Sequence, residues 1–180
     1  MSQMDKGFTV WMTGLPGSGK STLSAVLKES LQRDHGRSVE VLDGDEIRKG
    51  ISKDLGLSKE DREEHARRVS FVAKLLSRNG VVAIVALISP YEISREQAKE
   101  TVGPERFVEV YVKASLETCE KRDPKGLYAK ALRGEITNMT GVQDPYEVPK
   151  HADIVIDTEK GTPQESGAEL IGKLRARGLL

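Results

Sequence analysis

Short apolar runs alternate along this chain with longer segments in which apolar positions recur every three to four residues. The apolar runs predict buried strands over 8–12, 39–42, 81–87, 107–112 and 154–156. The longer segments predict helices over 21–33, 58–79, 93–102, 116–122 and 163–177, with a shorter helical stretch at 128–132. This alternation predicts an α/β fold in which helices cover both faces of a central parallel sheet.

Charge and cysteine content narrow the class of protein. Lys+Arg and Asp+Glu both number 28, which argues against a bulk polyanion such as a nucleic acid as the main partner. The longest apolar run, 81–88, is too short to cross a bilayer, and the polar residues 1–7 lack the apolar stretch of a signal peptide. The single cysteine, Cys119, excludes an intramolecular disulfide and indicates a reducing compartment. We therefore expect one cytoplasmic domain over 1–180, without a membrane partner.

A phosphate-binding motif follows the first predicted strand, since residues 14–21 match G-x-x-x-x-G-K-[ST]. Backbone N–H groups and the following helix N-terminus would face a nucleotide triphosphate, whereas a turn that only links strand to helix is the alternative. Lys20 is expected to reach the β- and γ-phosphates, and the Ser21 hydroxyl to bind Mg²⁺. No N-K-x-D guanine signature is present, which weighs against a GTPase. The expected ATP-binding residues are Gly14, Leu15, Pro16, Gly17, Ser18, Gly19, Lys20, Ser21 and Thr22.

Two carboxylates, Asp43 and Asp45, end the second predicted strand. In a parallel sheet this end lies at the same edge as the phosphate-binding loop. One carboxylate could hold Mg²⁺ and the other accept a proton from an acceptor hydroxyl, and we assign the metal to Ser21 and Asp43. The alternative is a helix cap followed by a turn residue.

Basic side chains and a long irregular segment come next. Arginine binds phosphate or sulfate through a bidentate fork, which makes Arg48 and Arg62 candidate anion ligands. Arg67 and Arg68 are either further ligands or part of a solvated helix face with acidic partners. The segment 123–149 is rich in Gly, Pro and charge, and its length favours a mobile lid that excludes water over an ordinary surface loop.

Several longer strings identify a family. They are FTVWMTGL at 8–15, DGD at 43–45, DLG at 54–56, ISPY at 88–91, KGLY at 125–128 and TGVQDPYE at 140–147. In this order and spacing the chain resembles adenylylsulfate (APS) kinases from about residue 7 to residue 158. The resemblance implies a three-layer α/β/α P-loop kinase fold with a mobile lid. It also implies transfer of the γ-phosphate of ATP, with Mg²⁺, to the 3′-hydroxyl of adenosine 5′-phosphosulfate (APS), giving PAPS and ADP in sulfate assimilation. A homodimer and association with ATP sulfurylase are further implied partners.

The resemblance also implies roles for individual residues, among which Lys20, Asp45 and Ser89 are catalytic. Asp45 matches the carboxylate that activates the 3′-hydroxyl, and Lys125 matches a lid lysine at the acceptor. Ser89 matches a serine assigned in the family to a phosphoserine intermediate, although direct in-line transfer needs no covalent step. The implied substrate-binding residues are Asp43, Asp45, Arg48, Leu57, Arg62, His65, Ile88, Ser89, Lys125, Asn138 and Met139.

Three of these positions depart from the family pattern. Leu57 and Met139 replace the phenylalanines that clamp the acceptor adenine, and each lost stacking contact is worth about 1–3 kcal/mol. Weaker APS binding, substitution by Phe71, or another nucleotide acceptor such as cytidine diphosphoramidate all remain open. A weakly active domain that docks on ATP sulfurylase is a further alternative. His65 replaces an asparagine and is either an acceptor ligand or a helix-surface residue beside Glu64.

Overall fold

The computed structural model describes residues 6–180, so the polar start at 1–5 lies outside the described residues. Five parallel strands form one sheet in the order β2-β3-β1-β4-β5. The strands are β1 (Thr9–Thr13), β2 (Val39–Asp43), β3 (Val82–Ala86), β4 (Phe107–Lys113) and β5 (Ile154–Asp157). All five predicted strands and the predicted α/β class are confirmed.

Seven α-helices of the described chain connect and follow these strands. They are α1 (Lys20–His35), α2 (Gly44–Lys49), α3 (Lys59–Arg78), α4 (Glu92–Val102), α5 (Leu116–Arg122), α6 (Leu127–Leu132) and α7 (Pro163–Ala176). A short 3₁₀ helix, Pro104–Arg106, precedes β4. The pattern did not predict α2, because six residues are too few to show a helical period. None of the described helices is both long and apolar enough to cross a bilayer.

Local caps explain where the longer helices begin. The Ser58 hydroxyl accepts a hydrogen bond from the Asp61 backbone N–H and so caps the start of α3. Thr162 and Glu165 form a reciprocal capping box at the start of α7. Both caps satisfy backbone donors that the first turn of a helix leaves free.

Apolar side chains pack on both faces of the sheet, as expected for parallel strands. Val10 and Met12 of β1 pack with α1 and α7, whereas the intervening Trp11 packs on the opposite face with α3. Because successive side chains of a strand point to opposite faces, β1 contributes to both layers and is fully buried. The helical layers therefore leave the carboxyl ends of the strands as the open edge of the sheet.

The predicted lid is anchored to this edge at its start. Tyr128 on α6 is buried with Cys119 of α5 and with Met139, in a small third apolar cluster. The Tyr128 hydroxyl donates a hydrogen bond to the Pro16 carbonyl of the phosphate-binding loop at 2.8 Å. The mobility of residues 123–149 stays a prediction, but this packing fixes where the segment leaves the core.

Candidate active site

The phosphate-binding loop, residues 14–19, connects β1 to α1 and curves around the side chain of Lys20. The Lys20 ammonium donates to the carbonyls of Gly14 and Leu15, both at 2.8 Å. Gly17 has a φ of +80°, and a Cβ there would lie 3.0 Å from the Cys119 carbonyl, so both the conformation and the close approach require glycine. Burial lowers the pKa of Lys20 to about 8. An anionic phosphate beside the ammonium would raise this pKa again, because an opposite charge favours the protonated form.

Asp43 caps the helix that follows it, which is one of the two alternatives that the sequence left open, and it also contacts Ser21. Its Oδ1 accepts a hydrogen bond from the Asp45 backbone N–H at 3.0 Å and caps α2. Its Oδ2 accepts a hydrogen bond from the Ser21 hydroxyl at 2.9 Å. The described residues hold no cluster of three or more His, Cys, Asp or Glu side chains that could bind a metal alone. The oxygen pair does fit Mg²⁺, which commonly takes one or two protein ligands and completes its shell with phosphate and water.

Asp45 and Lys125 form an ion pair across the mouth of the site. Asp45 belongs to the first turn of α2, whereas Lys125 lies at the start of the predicted lid. Both side chains are more than half exposed, so solvent screens the attraction and its net contribution to stability is small. A substrate that offers new partners can therefore replace this pair at little cost.

Two arginines bring positive charge to the α3 side of the site. Arg48 donates to the Gly56 carbonyl at 2.8 Å. Arg62 is buried and donates to the carbonyls of Leu57 at 3.0 Å and Asn138 at 2.7 Å. Each guanidinium carries five N–H donors, so both keep donors for an anion. Burial lowers the pKa of Arg62, because it disfavours the charged guanidinium. A bound anion would favour the charged form and so oppose this effect.

His65 lies one turn after Arg62 and is 4% exposed, so the helix-surface interpretation is wrong. Neither ring nitrogen has a hydrogen-bond partner among the described residues. Burial, together with the charges of Arg48, Arg68 and Arg62, lowers its pKa to about 4. The ring is therefore neutral at ordinary pH and offers one donor and one acceptor to the site.

Ser89 has an unusual backbone conformation for a residue with a side chain. Its φ is +44°, it is 5% exposed, and its hydroxyl oxygen accepts a hydrogen bond from the Trp11 indole N–H at 3.1 Å. The neighbouring Ile88 carbonyl accepts from the Thr13 hydroxyl at 2.6 Å. Sequence reasoning missed Trp11, although a Trp within a buried strand signals a partner for its indole N–H.

These groups surround one cavity of about 640 Å³ at the carboxyl ends of the strands, the position that open α/β sheets use for ligands. The predicted residues that line it are Pro16, Gly17, Gly19, Lys20, Ser21, Thr22, Asp43, Asp45, Arg48, Arg62, His65, Ile88, Ser89 and Lys125. The predicted residues that do not line it are Gly14, Leu15, Ser18, Leu57, Asn138 and Met139.

The positions expected to clamp the acceptor base lie outside the cavity lining. Leu57 is 41% exposed, and Met139 is buried in the cluster around Tyr128. Leu57 and Asn138 instead hold Arg62 through their backbone carbonyls. Phe71 is 53% exposed and does not line the cavity, so the structure does not support it as a replacement aromatic.

Two further findings concern arginines. Arg67 and Arg68 pair with Glu64, and Arg68 also pairs with Asp54, which agrees with the solvated-face alternative. These bonds hold the pKa of Glu64 down at about 2. Arg122 was not predicted as a site residue, yet it lines the cavity and donates to the Thr158 carbonyl at 2.9 Å. No short motif links 122 to 158, so only the packed fold shows this contact.

A phosphate-binding loop, a Mg²⁺-type oxygen pair and a basic pocket meet at one edge of this sheet, which defines a P-loop kinase. A model of the family described as "Adenylylsulphate kinase" matches residues 6–157. This chain therefore belongs to the adenylylsulphate kinase family.

Individual relatives support this assignment. A probable adenylyl-sulfate kinase of Pyrococcus abyssi is 52% identical over 97% of this chain and 99% of its own length. The structure of the Mycobacterium tuberculosis APS kinase CysC in complex with AMPPNP and APS matches with a TM-score of 0.90 and 43% identity, over 94% of this chain and 98% of that one. A probable bifunctional SAT/APS kinase of Sorangium cellulosum is 49% identical over 96% of this chain, which spans 29% of that protein.

Proposed function

We propose that this chain transfers the γ-phosphate of ATP to the 3′-hydroxyl of APS, giving PAPS and ADP. One observation carries the proposal: in a chain of the adenylylsulphate kinase family, a single cavity brings Lys20 of the phosphate-binding loop opposite Asp45 and two arginines. This reaction needs cationic groups that bind two anionic nucleotides, and one group that accepts a proton. The class of enzyme is an ATP-dependent phosphotransferase.

The ATP phosphates bind along residues 14–22 in this proposal. Backbone N–H groups of the loop and the N-terminus of α1 face the phosphates, and Lys20 neutralises charge on the transferred group. The lowered pKa of Lys20 supports this role, because a buried ammonium gains most from an anionic partner. Arg122 adds a second cation next to Gly17 and Ser18 of the loop.

Ser21 and Asp43 would hold Mg²⁺, and their 2.9 Å contact supports this assignment. When bound, the ion neutralises phosphate charge during transfer. The cap that Asp43 provides to α2 fixes one carboxylate oxygen and leaves the other facing Ser21. The chain's own contribution is thus a carboxylate held in place by the backbone of the next helix.

The acceptor binds on the opposite side of the cavity. Arg48 and Arg62 hold the phosphosulfate, and neutral His65 supplies a further hydrogen bond. Acceptor binding separates the exposed Asp45–Lys125 pair. The Asp45 carboxylate then takes the 3′-hydroxyl proton as the oxygen attacks the γ-phosphorus, and the bond from that phosphorus to the bridging oxygen of ADP breaks.

Ser89 contacts the acceptor without forming a covalent intermediate in this scheme. Its hydroxyl oxygen already accepts the Trp11 indole N–H, and its residue is almost fully buried. Direct in-line transfer to the 3′-oxygen leaves no step for a phosphoserine. The rigid hydroxyl thus serves as a fixed hydrogen-bonding group in the wall of the acceptor pocket.

A coupled ADP-release assay tests the proposal. APS is titrated from nanomolar concentration upward with MgATP, and the product is identified by mass. Saturable ADP release with PAPS formed is the expected result. ADP release only with another nucleotide, such as cytidine diphosphoramidate, or none with any member of a nucleotide panel, would contradict it.

The oligomeric state, the compartment and the partner of the enzyme are a further part of the proposal. We propose a homodimer that works in the cytoplasm and cooperates with an ATP sulfurylase. The bifunctional SAT/APS kinase relative supports the last point, since a homologous stretch occurs there within a much longer chain. Light scattering for the dimer, cell fractionation for the compartment and co-purification for the sulfurylase are the three tests.

A further inference from the structure

A buried arginine of α4 holds together three segments around the acceptor side of the cavity. Arg95 is 3% exposed. Its guanidinium donates to the Ser89 carbonyl at 2.7 Å and to the Glu147 carbonyl at 2.9 Å, and its Nε lies 2.8 Å from a carboxylate oxygen of Glu109 on β4. The Arg95 guanidinium thus contacts the loop after β3, the end of the predicted lid and strand β4 of the sheet.

The loop that Arg95 holds contains the strained residue of the site. The left-handed conformation of Ser89 is uncommon for a residue other than glycine, and such conformations persist only when surrounding contacts determine them. The contacts here come from Trp11 to the Ser89 hydroxyl, from Thr13 to its carbonyl at 3.3 Å and from Arg95 to the same carbonyl. The charged donor gives the shortest of these three bonds, and charge-assisted bonds are the strongest.

The same loop is also bonded directly to the end of the predicted lid. The Glu147 backbone N–H donates to the Pro90 carbonyl at 2.8 Å, and the Glu147 carboxylate accepts from the Glu92 backbone N–H at 2.7 Å. One residue earlier, the Tyr146 hydroxyl lies 2.9 Å from that of Thr13. Arg95 bonds to the Ser89 and Glu147 carbonyls as well, so the loop and the lid end are linked both directly and through its guanidinium.

We propose that Arg95 is a positioning residue for the acceptor side of the site. It keeps the Ile88–Ser89 wall of the cavity in place and joins this wall to residues 146–147. The ATP side is held by other groups, namely Lys20 within the phosphate-binding loop and Arg122 on Thr158. Loss of Arg95 therefore weakens use of the acceptor and leaves ATP binding intact. The identity of the acceptor rests on the proposed function, whereas the positioning itself does not.

The choice of variants follows from the ion pair with Glu109. Burial raises the pKa of Glu109, and the Arg95 charge opposes that change, so Arg95→Met alone would leave a buried carboxylate unpaired and destabilise the fold. Arg95→Lys keeps a charge for Glu109 but cannot reach both carbonyls as a fork does. A double variant, Arg95→Met with Glu109→Gln, removes both charges. Lys99→Met, an exposed change on the same helix, is the matched control.

The experiment compares three quantities in the full chain. These are kcat/KM for APS at saturating MgATP, the Kd of ATP from calorimetry, and acrylamide quenching of tryptophan fluorescence. Trp11 is the single tryptophan of the chain and bonds to the Ser89 hydroxyl, so quenching reports the state of the loop without any acceptor. If Arg95 had only a structural role, its loss would affect kcat/KM for APS and the Kd of ATP to a similar extent.

For Arg95→Lys and the double variant we expect kcat/KM for APS to fall by about 10- to 100-fold, as loss of charge-assisted hydrogen bonds implies. The Kd of ATP should stay within about twofold, quenching should rise, and Lys99→Met should behave as the parent. Unchanged kcat/KM, an equal loss of ATP affinity, or unchanged quenching in the folded variants would each overturn the proposal. If the parent chain itself does not phosphorylate APS, the proposed function fails. In that case the fluorescence quenching and the Kd of ATP still test the role of Arg95.

Discussion

Asp45 lines the cavity and is the proton acceptor of the proposed reaction. Its carboxylate faces the phosphate-binding loop from the first turn of α2, and its present partner is the exposed ammonium of Lys125. Because solvent screens this ion pair, the attraction is weak and either group can change its partner. In the proposed reaction, the Asp45 carboxylate therefore exchanges Lys125 for the acceptor hydroxyl.

Asp45→Asn keeps the shape of the side chain and removes its basicity. We expect kcat to fall by about 10²- to 10⁴-fold, because the 3′-hydroxyl loses its proton acceptor. The Kd of ATP should hardly change. Steady-state kinetics with APS and calorimetry with ATP measure the two effects, with Glu46→Gln in the same helix as the control. A kcat within tenfold of the parent would remove Asp45 from its proposed role.

His65 makes the stability of the chain depend on pH. Its pKa is about 4 in the folded chain, against an ordinary value near 6.5, so the unfolded chain binds the proton more readily. The neutral ring supports the fold fully above pH 6.5, and this support is lost as the pH falls towards 4. The loss amounts to at most about 3 kcal/mol.

The prediction is that His65→Asn flattens the decline in the free energy of unfolding between pH 6.5 and 4. Denaturant titrations at several pH values measure it. His151→Asn, at an exposed position, is the control and should keep the parent's slope. An unchanged slope in His65→Asn would show that other groups cause the acid sensitivity.

At the scale of elements, the junction of β2 and α2 serves both structure and chemistry. Asp43 caps α2 with one carboxylate oxygen and accepts the Ser21 hydroxyl with the other. The sequence offered the helix cap as an alternative to a role in the reaction, but one carboxylate has enough lone pairs for the cap and a second contact together. A short helix that shows no period in the sequence is therefore stabilised by a residue of the site.

Two substitutions separate these roles. Asparagine caps helices as well as aspartate, so Asp43→Asn should leave the melting temperature near that of the parent but raise the Mg²⁺ concentration needed for half-maximal activity. Asp43→Ala should show the same change in Mg²⁺ dependence and lose about 1 kcal/mol of stability as well. Equal Mg²⁺ dependence in parent and Asp43→Asn would argue against metal binding at this carboxylate.

At the scale of the whole molecule, the lid segment and the phosphate-binding loop are joined through one buried bond. Tyr128 on α6 donates to the Pro16 carbonyl, and the small cluster around it connects α5, α6 and Met139. Burial raises the pKa of this phenol well above its usual range, so the donor keeps its proton at working pH. The segment thus starts from a fixed point next to the phosphate-binding loop.

Tyr128→Phe should lower the free energy of unfolding by about 1–3 kcal/mol, because the Pro16 carbonyl loses its buried donor. ATP affinity should fall as well, since the loop that carries Pro16 and Gly17 loses support. Denaturant unfolding and ATP calorimetry are the measurements. Tyr111→Phe is the control, and a Tyr128→Phe variant as stable as this control would exclude the bond as an anchor.

What the sequence determined by itself lies in short stretches. The apolar period predicted five strands and most helices, and the phosphate-binding loop, Asp43 and Asp45 were predicted as site residues from a short motif and from their place after a strand. Such signals are local, because the physics that produces them acts within one turn or one strand. The resemblance to a family added Lys125 and assigned a phosphosulfate to Arg48 and Arg62, and the structure places all three on the same cavity.

Only the tertiary structure decided how distant segments share their polar groups. Ser89 accepts a bond from Trp11, 78 residues earlier, and Arg62 donates to the Asn138 carbonyl, 76 residues later. No period or motif encodes such pairs, because a buried donor finds its acceptor only after the sheet and helices have packed. The same packing buried His65, moved Met139 out of the cavity wall and placed Arg95 behind Ser89.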